Sequence, residues 1–434
     1  MLLSAPEKKG YVLGYDLGAK YSQISYLPLS GGDAQTLSVL TGAQIYDIPT
    51  ILAKREDVNQ WFYGREAKKQ IEEGLAVAAE GMMEAAVEGT NVVVGDAEYD
   101  PVALLALFVK RSLSLLTMEL DAAQIRGIMF TCAGLDNRMV NVLRGVVDAL
   151  QLPMKHVYFQ DYAESFYHFM LSQDKELRTH TVLACDYHYG PLTVLSLNFN
   201  FHTTPVIATV DEQVFSEMEY NLDDLPDDIS YREKATGMLD TEFLRIAERL
   251  CAGKVVSTVY LLGNGFKEGW MRRSLEFLCR TRKVYQGSNL FSKGAAYAAR
   301  ARLKKGTEER AFLLLDDSKL RHNIGLQVHH RGREEYCSVL EGGCSWYEAH
   351  ASLDVILESG NTFMIRVTPL AGGETAEVPF EMKTLPEREA RTTRLTIEME
   401  MLSAGRVRVT VTDRGFGTYQ ESSGEVWTQE VNLS

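Results

Sequence analysis

The segment YVLGYDLGAKYSQISYL, residues 11–27, contains the pattern on which the fold prediction rests. An apolar run ends at Asp16, a glycine-bearing turn follows, and a second apolar run begins after it, which predicts a β-hairpin. The segment TVLACDYHYGPLTVLSL, residues 181–197, repeats this order around Asp186. Each hairpin therefore carries an acidic residue at the end of a buried strand, beside a turn whose N–H groups can hold phosphate oxygens.

A third segment, VYLLGNGF at residues 259–266, reads as a buried strand that ends in the turn Gly263–Asn264–Gly265. Glycines at this turn let a flat group approach the backbone closely. Two facing hairpin turns can clamp a polyphosphate, and Asp16 and Asp186 can hold a hydrated Mg²⁺ between them. An Asp at a strand end also commonly caps its own turn, so this simpler interpretation stays open for both residues.

Helical patterns lie between these segments. Pro101–Leu120 has apolar residues at helical spacing, with Pro in the first turn. Asp136 precedes another such pattern and is expected to be its N-cap. Asp161 precedes the predicted helix Tyr162–Leu171, which it could cap. Further helices are predicted at Thr241–Leu250, from about Trp270 to Cys279, and at Ser292–Lys304.

Composition excludes several classes of function. The chain has 434 residues, a size typical of two or three domains, and a formal net charge of −14, which argues against a nucleic-acid partner. No C-x-x-C pair occurs among the six cysteines, which indicates a reducing compartment. The longest apolar run, Val102–Val109, is too short to span a membrane, so no membrane partner is predicted. We expect a cytoplasmic protein.

The pattern changes after Lys304. A polar stretch, Lys305–Arg310, meets the apolar stretch Ala311–Leu315, and only strand-like runs follow. We predict an α/β domain at 1–305, with lobes at about 1–160 and 161–305. A linker at 306–317 and an all-β sandwich domain at 318–434 complete the chain.

The order of these motifs resembles the seventy-kilodalton heat-shock chaperone (DnaK-type) family of the actin-like ATPase superfamily. The resemblance covers most of the chain and rests on YDLGAKYSQISY, IPTILA with YGREAKKQ, FTCAGLDNRMVNVLRGVVDALQLPMKHVYFQDYAESFYHFML, VLACDYHYGPLTVLSL, VYLLGNGFKEGWMRRSLEFL with SKGAAYAAR, AFLLLDD and RLTIEMEMLSAGRVRVTVTDRGFG. It implies an actin-like ATPase fold, in which a ribonuclease H-like domain is duplicated, followed by a substrate-binding β-domain.

The resemblance also implies roles for individual residues. Asp16 and Asp186 match the pair that orients water on Mg²⁺, and Asp161 matches the position of a catalytic-region Glu. Lys20 could supply a cation to phosphate. Residues that match the family's phosphate turns, nucleoside turn and closing helix are Gly18, Gly190, Gly263, Asn264, Gly265, Phe266 and Gly294. ATP or ADP with Mg²⁺ is the implied cofactor, and an extended peptide or protein client is the implied partner.

Departures from the family lie at the site itself. Ala19 and Lys20 replace a hydroxyl pair, and His188, Tyr189 and Pro191 occupy a turn that is glycine-rich in the family. Pro191 removes an N–H donor. The phosphate-clamping Lys is not found in Val77–Val94, and the subdomain between the second phosphate turn and the nucleoside turn is shortened.

Two main hypotheses follow. The chain is either a divergent chaperone-like protein that binds ATP or ADP, with weak or absent hydrolysis, or a pseudo-ATPase that serves as a scaffold or binding module. A filament-forming relative of bacterial actins is a third possibility, which the linker and the β-domain disfavour. We expect no lid helices after the β-domain, and therefore weaker trapping of peptide than in the family.

Overall fold

The computed structural model divides the chain into two compact units, residues 1–313 and 314–434. This division falls within the predicted linker 306–317, of which residues 306–310 and 317 lie outside the described residues. The structure describes residues 10–40, 42–55, 58–188, 190–218, 228–267, 269–304, 311–316, 318–370 and 372–433, without the side chain of Met118. Tyr189 of the second predicted phosphate turn is therefore not described.

The first unit alternates strands and helices. Its strands are β1 (Tyr11–Leu17), β2 (Tyr21–Pro28), β3 (Gln35–Thr36), β4 (Ile48–Pro49), β5 (Leu52–Lys54), β6 (Trp61–Tyr63), β7 (Val77–Ala79), β8 (Val92–Val94), β9 (Ala97–Tyr99), β10 (Ile125–Cys132), β11 (His156–Asp161), β12 (Thr181–Asp186), β13 (Leu192–Asn200), β14 (Val206–Phe215), β15 (Val256–Leu262), β16 (Lys283–Gly287) and β17 (Phe312–Leu314). Its helices are α1 (Gly64–Glu72), α2 (Met82–Glu88), α3 (Pro101–Leu113), α4 (Asn137–Leu150), α5 (Tyr162–Ser172), α6 (Ile229–Cys251), α7 (Arg273–Cys279) and α8 (Leu290–Lys304).

The two main sheets of this unit share one strand order over five strands. One runs β11-β10-β1-β2-β3, and the other runs β16-β15-β12-β13-β14-β17. In both, the central strand (β1 or β12) pairs antiparallel with the next strand of the chain and parallel with a later one. A helix, α4 or α7, then leads to the parallel outer strand. The first unit is therefore an internal duplication of one sheet topology, with Asp16 and Asp186 at the ends of equivalent strands.

Helices cover these sheets through apolar faces. Asp100 accepts from the N–H of Val102, and Pro101 follows it, so α3 begins where the sequence predicts. Asp136 caps α4 in the same way through the N–H of Met139. The interior face of α4 packs with α3 on the first sheet. In the second lobe, Phe243 of α6 joins the core on strands β12 and β15.

Helix α8 packs tightly between the first sheet and α5. An added side chain at Gly14 of β1 would collide with the backbone of Ser292, and one at Gly294 would collide with the backbone of Ser165 in α5. The alanines of α8 pack against Val12 on this sheet. Both glycines are therefore required by close backbone approach.

The second unit is a β-sandwich. Its strands are β18 (His322–His330), β19 (Arg333–Leu340), β20 (His350–Leu357), β21 (Thr362–Pro369), β22 (Ala376–Glu381), β23 (Thr393–Ser403), β24 (Arg406–Gly415) and β25 (Val426–Asn432). They form two sheets of four strands, in the orders β19-β18-β21-β22 and β20-β23-β24-β25. A buried ion pair joins Arg388 to Asp413, with both side chains almost fully inaccessible.

The predicted class, mixed α/β followed by an all-β domain, is confirmed. Several bounds differ from the prediction. Helix α6 begins at Ile229 rather than Thr241, and the strand β14 was not predicted. The helix predicted over Pro101–Leu120 ends at Leu113 and continues as a 3₁₀ turn. All six cysteines are free thiols, and no helix in the described part of the chain is long and apolar enough to cross a membrane.

Candidate functional site

The two lobes meet at the ends of β1 and β12, where the predicted cleft lies. Asp16 is buried there, and its Oδ1 accepts a 2.8 Å hydrogen bond from the hydroxyl of Tyr162. Tyr162 is the first residue of α5, and its ring stacks on Phe291 of α8 with centroids 3.9 Å apart. This stacking holds the tyrosine in place against the carboxylate.

Asp186 also contacts a side chain of this chain, which belongs to the turn that follows it. The Nε2 atom of His188 lies 3.3 Å from Oδ1 of Asp186, and the two side chains are about one-third and one-fifth exposed. The ring of His188 also faces Tyr21 of the other hairpin, with centroids 5.8 Å apart. The two hairpin turns thus meet through side chains of the chain itself.

The electrostatics of this cluster follow from burial. Burial raises the pKa of Asp16 to about 7; the Tyr162 hydrogen bond opposes this rise, and the charge of Asp186 adds to it. Burial also raises the pKa of the Tyr162 hydroxyl, so it stays a donor. Burial lowers the pKa of His188, but the hydrogen bond to Asp186 and its charge outweigh this, and the net shift is upward. Asp16 therefore titrates near neutral pH, whereas Tyr162 stays protonated there.

A second contact joins the lobes beside this cluster. Asp47 accepts a 2.6 Å hydrogen bond from Gln23 of β2, and its Oδ2 lies 3.6 Å from Nζ of Lys267, which follows the nucleoside-type turn. Lys20 reaches toward the other hairpin, since a side chain at Gly190 would lie 3.9 Å from its Nζ. Gly18 lies against the carbonyl of Tyr21, inside its own turn. The Asp47–Lys267 ion pair is therefore a second link between the lobes.

The Gly263–Asn264–Gly265 turn is used for packing. Gly265 donates its N–H to the carbonyl of Tyr187 at 2.9 Å, and a side chain at either glycine would collide with Tyr187. Gly263 also has a φ of +93°, a backbone conformation that favours glycine. Phe266 is buried in the core with Phe243 and Trp270, and its match to the nucleoside turn stays a prediction. The side chain of Asn264 accepts from Lys267.

Two further predicted site residues have structural roles. Oδ1 of Asp161 accepts the N–H of Glu164 at 2.8 Å, so Asp161 is the N-cap of α5, the simpler of its two interpretations. Gly294 lies at the close contact between α8 and α5, and its match to the glycine of a site-closing helix stays a prediction.

The roles of Tyr162, Asp47 and Lys267 were not predicted from the sequence. A signal was available only for Asp47, which directly precedes IPTILA. The contacts of Tyr162 and Lys267 join residues more than 140 positions apart, which no local pattern encodes.

The cluster fits a hydrated Mg²⁺ poorly. Such an ion needs both carboxylates ionised and free to accept hydrogen bonds from its waters. Asp16 instead accepts from Tyr162 and titrates near neutrality, and Asp186 accepts from His188. No group of three or more metal-binding side chains occurs among the described residues.

The second unit contains a long groove of about 1250 Å³. Its walls are β19 and β20, which are edge strands of different sheets in the described structure. On β20, Leu353 and Val355 point inward yet are only half-buried, because the two sheets are not closed over them. The apolar side chains that line the groove include Leu326, Val328, Leu353, Val355, Leu395 and Ile397.

Charged groups at the groove are paired with one another. Arg391 contacts Glu358, Arg394 contacts Asp354, and His330 contacts Glu335, each at 2.6 Å. The ionisable side chains at the rim of the groove therefore pair with one another. The groove itself offers apolar surface together with two open strand edges.

Comparison with known proteins gives two matches to families. Residues 319–433 match the domain described as domain of unknown function (DUF8552). Residues 33–317 match the family described as family of unknown function (DUF5716), C-terminal. No curated protein matches the chain. The match over residues 33–317 spans more than half of the 434 residues. The chain therefore belongs to the family described as family of unknown function (DUF5716), C-terminal.

Proposed function

We propose that this chain is a pseudo-ATPase scaffold: a first unit of actin-like ATPase type whose cleft is closed by its own side chains, joined to a β-unit that binds extended peptide. One observation carries the proposal. Both carboxylates expected to hold Mg²⁺ accept hydrogen bonds from the chain itself, Asp16 from Tyr162 and Asp186 from His188.

The duplicated topology supports the actin-like assignment. Two sheets of one strand order, each with an Asp at the end of its central strand, are what the motif order leads us to expect. Sheet topology alone supports many functions, so the functional argument rests on the site.

The site argues against hydrolysis on electrostatic grounds. Phosphoryl transfer depends on positioned cations and donors around the phosphates. Here a titratable Asp16 and the bulky His188 lie at the turns, Pro191 lacks an N–H, and Asp161 is engaged as a helix cap. The Tyr162–Asp16 hydrogen bond and the contact between the rings of His188 and Tyr21 tie the two lobes together, as a scaffold requires.

The groove of the second unit supports the binding role. An extended peptide can add to an open strand edge through backbone hydrogen bonds, while alternate side chains enter apolar pockets. Strand β20 offers eight residues, and its inward positions Ala351, Leu353 and Val355 alternate with exposed ones. The occupant we propose is an extended segment with apolar residues at every second position.

Thermal unfolding of the full chain with millimolar Mg-ATP, Mg-ADP or no nucleotide tests the first half of the proposal. Anything that binds only the folded state raises the melting temperature by mass action. We expect no shift. A nucleotide-dependent rise that Asp16→Ala abolishes would instead establish the nucleotide-binding hypothesis.

A library of extended peptides, screened against the full chain, tests the second half. We expect enrichment of peptides with apolar residues at alternate positions and loss of binding when a proline interrupts that stretch. Binding of helical or uniformly charged peptides alone would contradict the groove as the site.

A further inference from the structure

A separate pocket lies in the first lobe, near the start of strands β1 and β10. It has a volume of about 210 Å³. Buried Leu13 of β1 and Ile125 of β10 lie at the beginnings of their strands, whereas Asp16 lies at the end of β1. The site is therefore distinct from the cluster in the cleft.

The wall of this pocket is almost wholly apolar. Leu116 and Leu120 are buried in it, and the side chains of Leu150, Leu152 and Met154 line it while remaining partly exposed. Protein interiors contain few voids larger than a water molecule. A pocket of this size, lined by leucine and methionine, is suited to an apolar guest and not to water, which needs two to four polar partners.

Few polar groups line the pocket, and the hydroxyls are already bonded. Ser114 donates to the carbonyl of Arg111 at 2.5 Å, and Thr117 donates to that of Ser114 at 2.7 Å. Lys110 is an exposed residue in the last turn of α3. It is the one charged residue among the described residues that line the pocket. A guest with an apolar body and an anionic end matches this combination of leucines and one ammonium group.

We infer that this pocket binds a small amphiphilic carboxylate, with its hydrocarbon body among the leucines and its carboxylate at Lys110. An apolar cavity of about 150 Å³ accommodates benzene, so this one suits a body of about six to eight carbon atoms. Each methylene that enters should tighten binding about fourfold, the equivalent of about 0.8 kcal/mol.

Calorimetric titration of the full chain with hexanoate, octanoate and 1-octanol tests the inference. We expect one site per chain, tighter binding of octanoate than of hexanoate, and weaker binding of the alcohol. In Lys110→Met, which keeps an apolar stem, octanoate should bind about twofold to fivefold more weakly, while the affinity for 1-octanol stays unchanged.

A matched pair of variants locates the site. Ala122 is exposed and lines the pocket, whereas its neighbour Ala123 is exposed but does not line it. Ala122→Phe should abolish binding, and Ala123→Phe should leave it intact. Absence of octanoate binding, or binding that survives Ala122→Phe, would overturn the inference. Equal affinity for octanoate and 1-octanol would overturn the role of Lys110.

Discussion

The hydroxyl of Tyr162 lies 2.8 Å from Oδ1 of Asp16, across 146 positions of sequence. Asp16 is nearly inaccessible to solvent, and Tyr162 is itself held by its stack on Phe291. The tyrosine therefore occupies one of the acceptor positions of the carboxylate. This contact distinguishes a closed cleft from a catalytic one, and it can be tested by titration.

Replacement of Asp16 by Asn should stabilise the protein at high pH. Burial raises the folded-state pKa of Asp16 to about 7, above the usual value for Asp, so the folded state binds the extra proton. The stability that this proton provides is present at low pH and is lost as pH rises toward and through 7. Asn keeps an acceptor for Tyr162 and carries no charge. Urea titrations give the free energy of unfolding of Asp16→Asn and of the natural chain. The advantage of the variant over the natural chain should be larger at pH 8 than at pH 4.5, by roughly 3 kcal/mol.

The control for this experiment is Asp96→Asn, at an exposed carboxylate in the same lobe, which should show little pH-dependent difference. If Asp16→Asn were less stable than the natural chain at every pH, Asp16 would have to act as a carboxylate. The closed-cleft interpretation would then be wrong.

Gly294→Ala should destabilise the first unit strongly. The added methyl group would meet the backbone of Ser165, which cannot move aside as a flexible side chain can. We expect a loss of about 3 kcal/mol, because overpacking forces a backbone shift. Gly287→Ala is the matched control, since a side chain there meets open space, and it should change stability by about 0.5 kcal/mol or less. Equal melting temperatures for the two variants would refute the close crossing of α5 and α8.

Arg388→Met should destabilise the second unit. Burial alone would raise the pKa of Asp413, but the hydrogen bond from Arg388 and the N–H groups of Ser423 and Gly415 hold it well below the usual range. Removal of the guanidinium leaves a buried charge without its counter-ion, at a cost of about 3–5 kcal/mol in chemical denaturation. Arg391→Met breaks an exposed pair with Glu358 and should change the stability far less. Similar losses in both variants would contradict the buried character of the Arg388–Asp413 pair.

Val355→Lys should weaken peptide binding by the second unit. Val355 lines the groove on β20, and an ammonium group there would lose hydration when an apolar peptide residue covers it. We expect about a tenfold or larger increase in the dissociation constant of a peptide selected from the library. Val426→Lys, at an exposed valine on β25 at the opposite edge of the same sheet, should bind as the natural chain does. Loss of affinity in Val426→Lys alone would place the peptide elsewhere.

Much of the fold was predictable because local rules determine it. The alternation around Asp16 and Asp186 predicted both hairpins, and Asp136 predicted the start of α4. Strand β14 was missed because residues 211–214 are all exposed, so no apolar face marks them. The first turns of α6 were missed for a similar reason, since Ile229 and Met238 are exposed apolar residues that break the helical pattern.

The site was predictable only in part. The residue types at Asp16 and Asp186 indicated an acidic pair at two strand ends, and the structure places each within the electrostatic influence of the other. What surrounds them depends on contacts between distant segments. Tyr162 begins a helix, and nothing in its neighbourhood shows that its hydroxyl reaches back to β1. The resemblance supplied candidate positions, but the chain's own substitutions determine the contacts made there.

The packing of α5 and α8 has a consequence for how the first unit folds. Helix α8 ends the second lobe in sequence, yet it packs on the sheet of the first through Val12 and Met129. Helix α5 directly follows β11 of the first sheet, yet its residues Phe169 and Tyr167 contact Tyr260 and Phe199 of the second sheet. The cores on the two sheets therefore depend on each other. Fragments made by dividing the unit between α5 and β12 should stay largely unstructured apart and regain structure only when mixed.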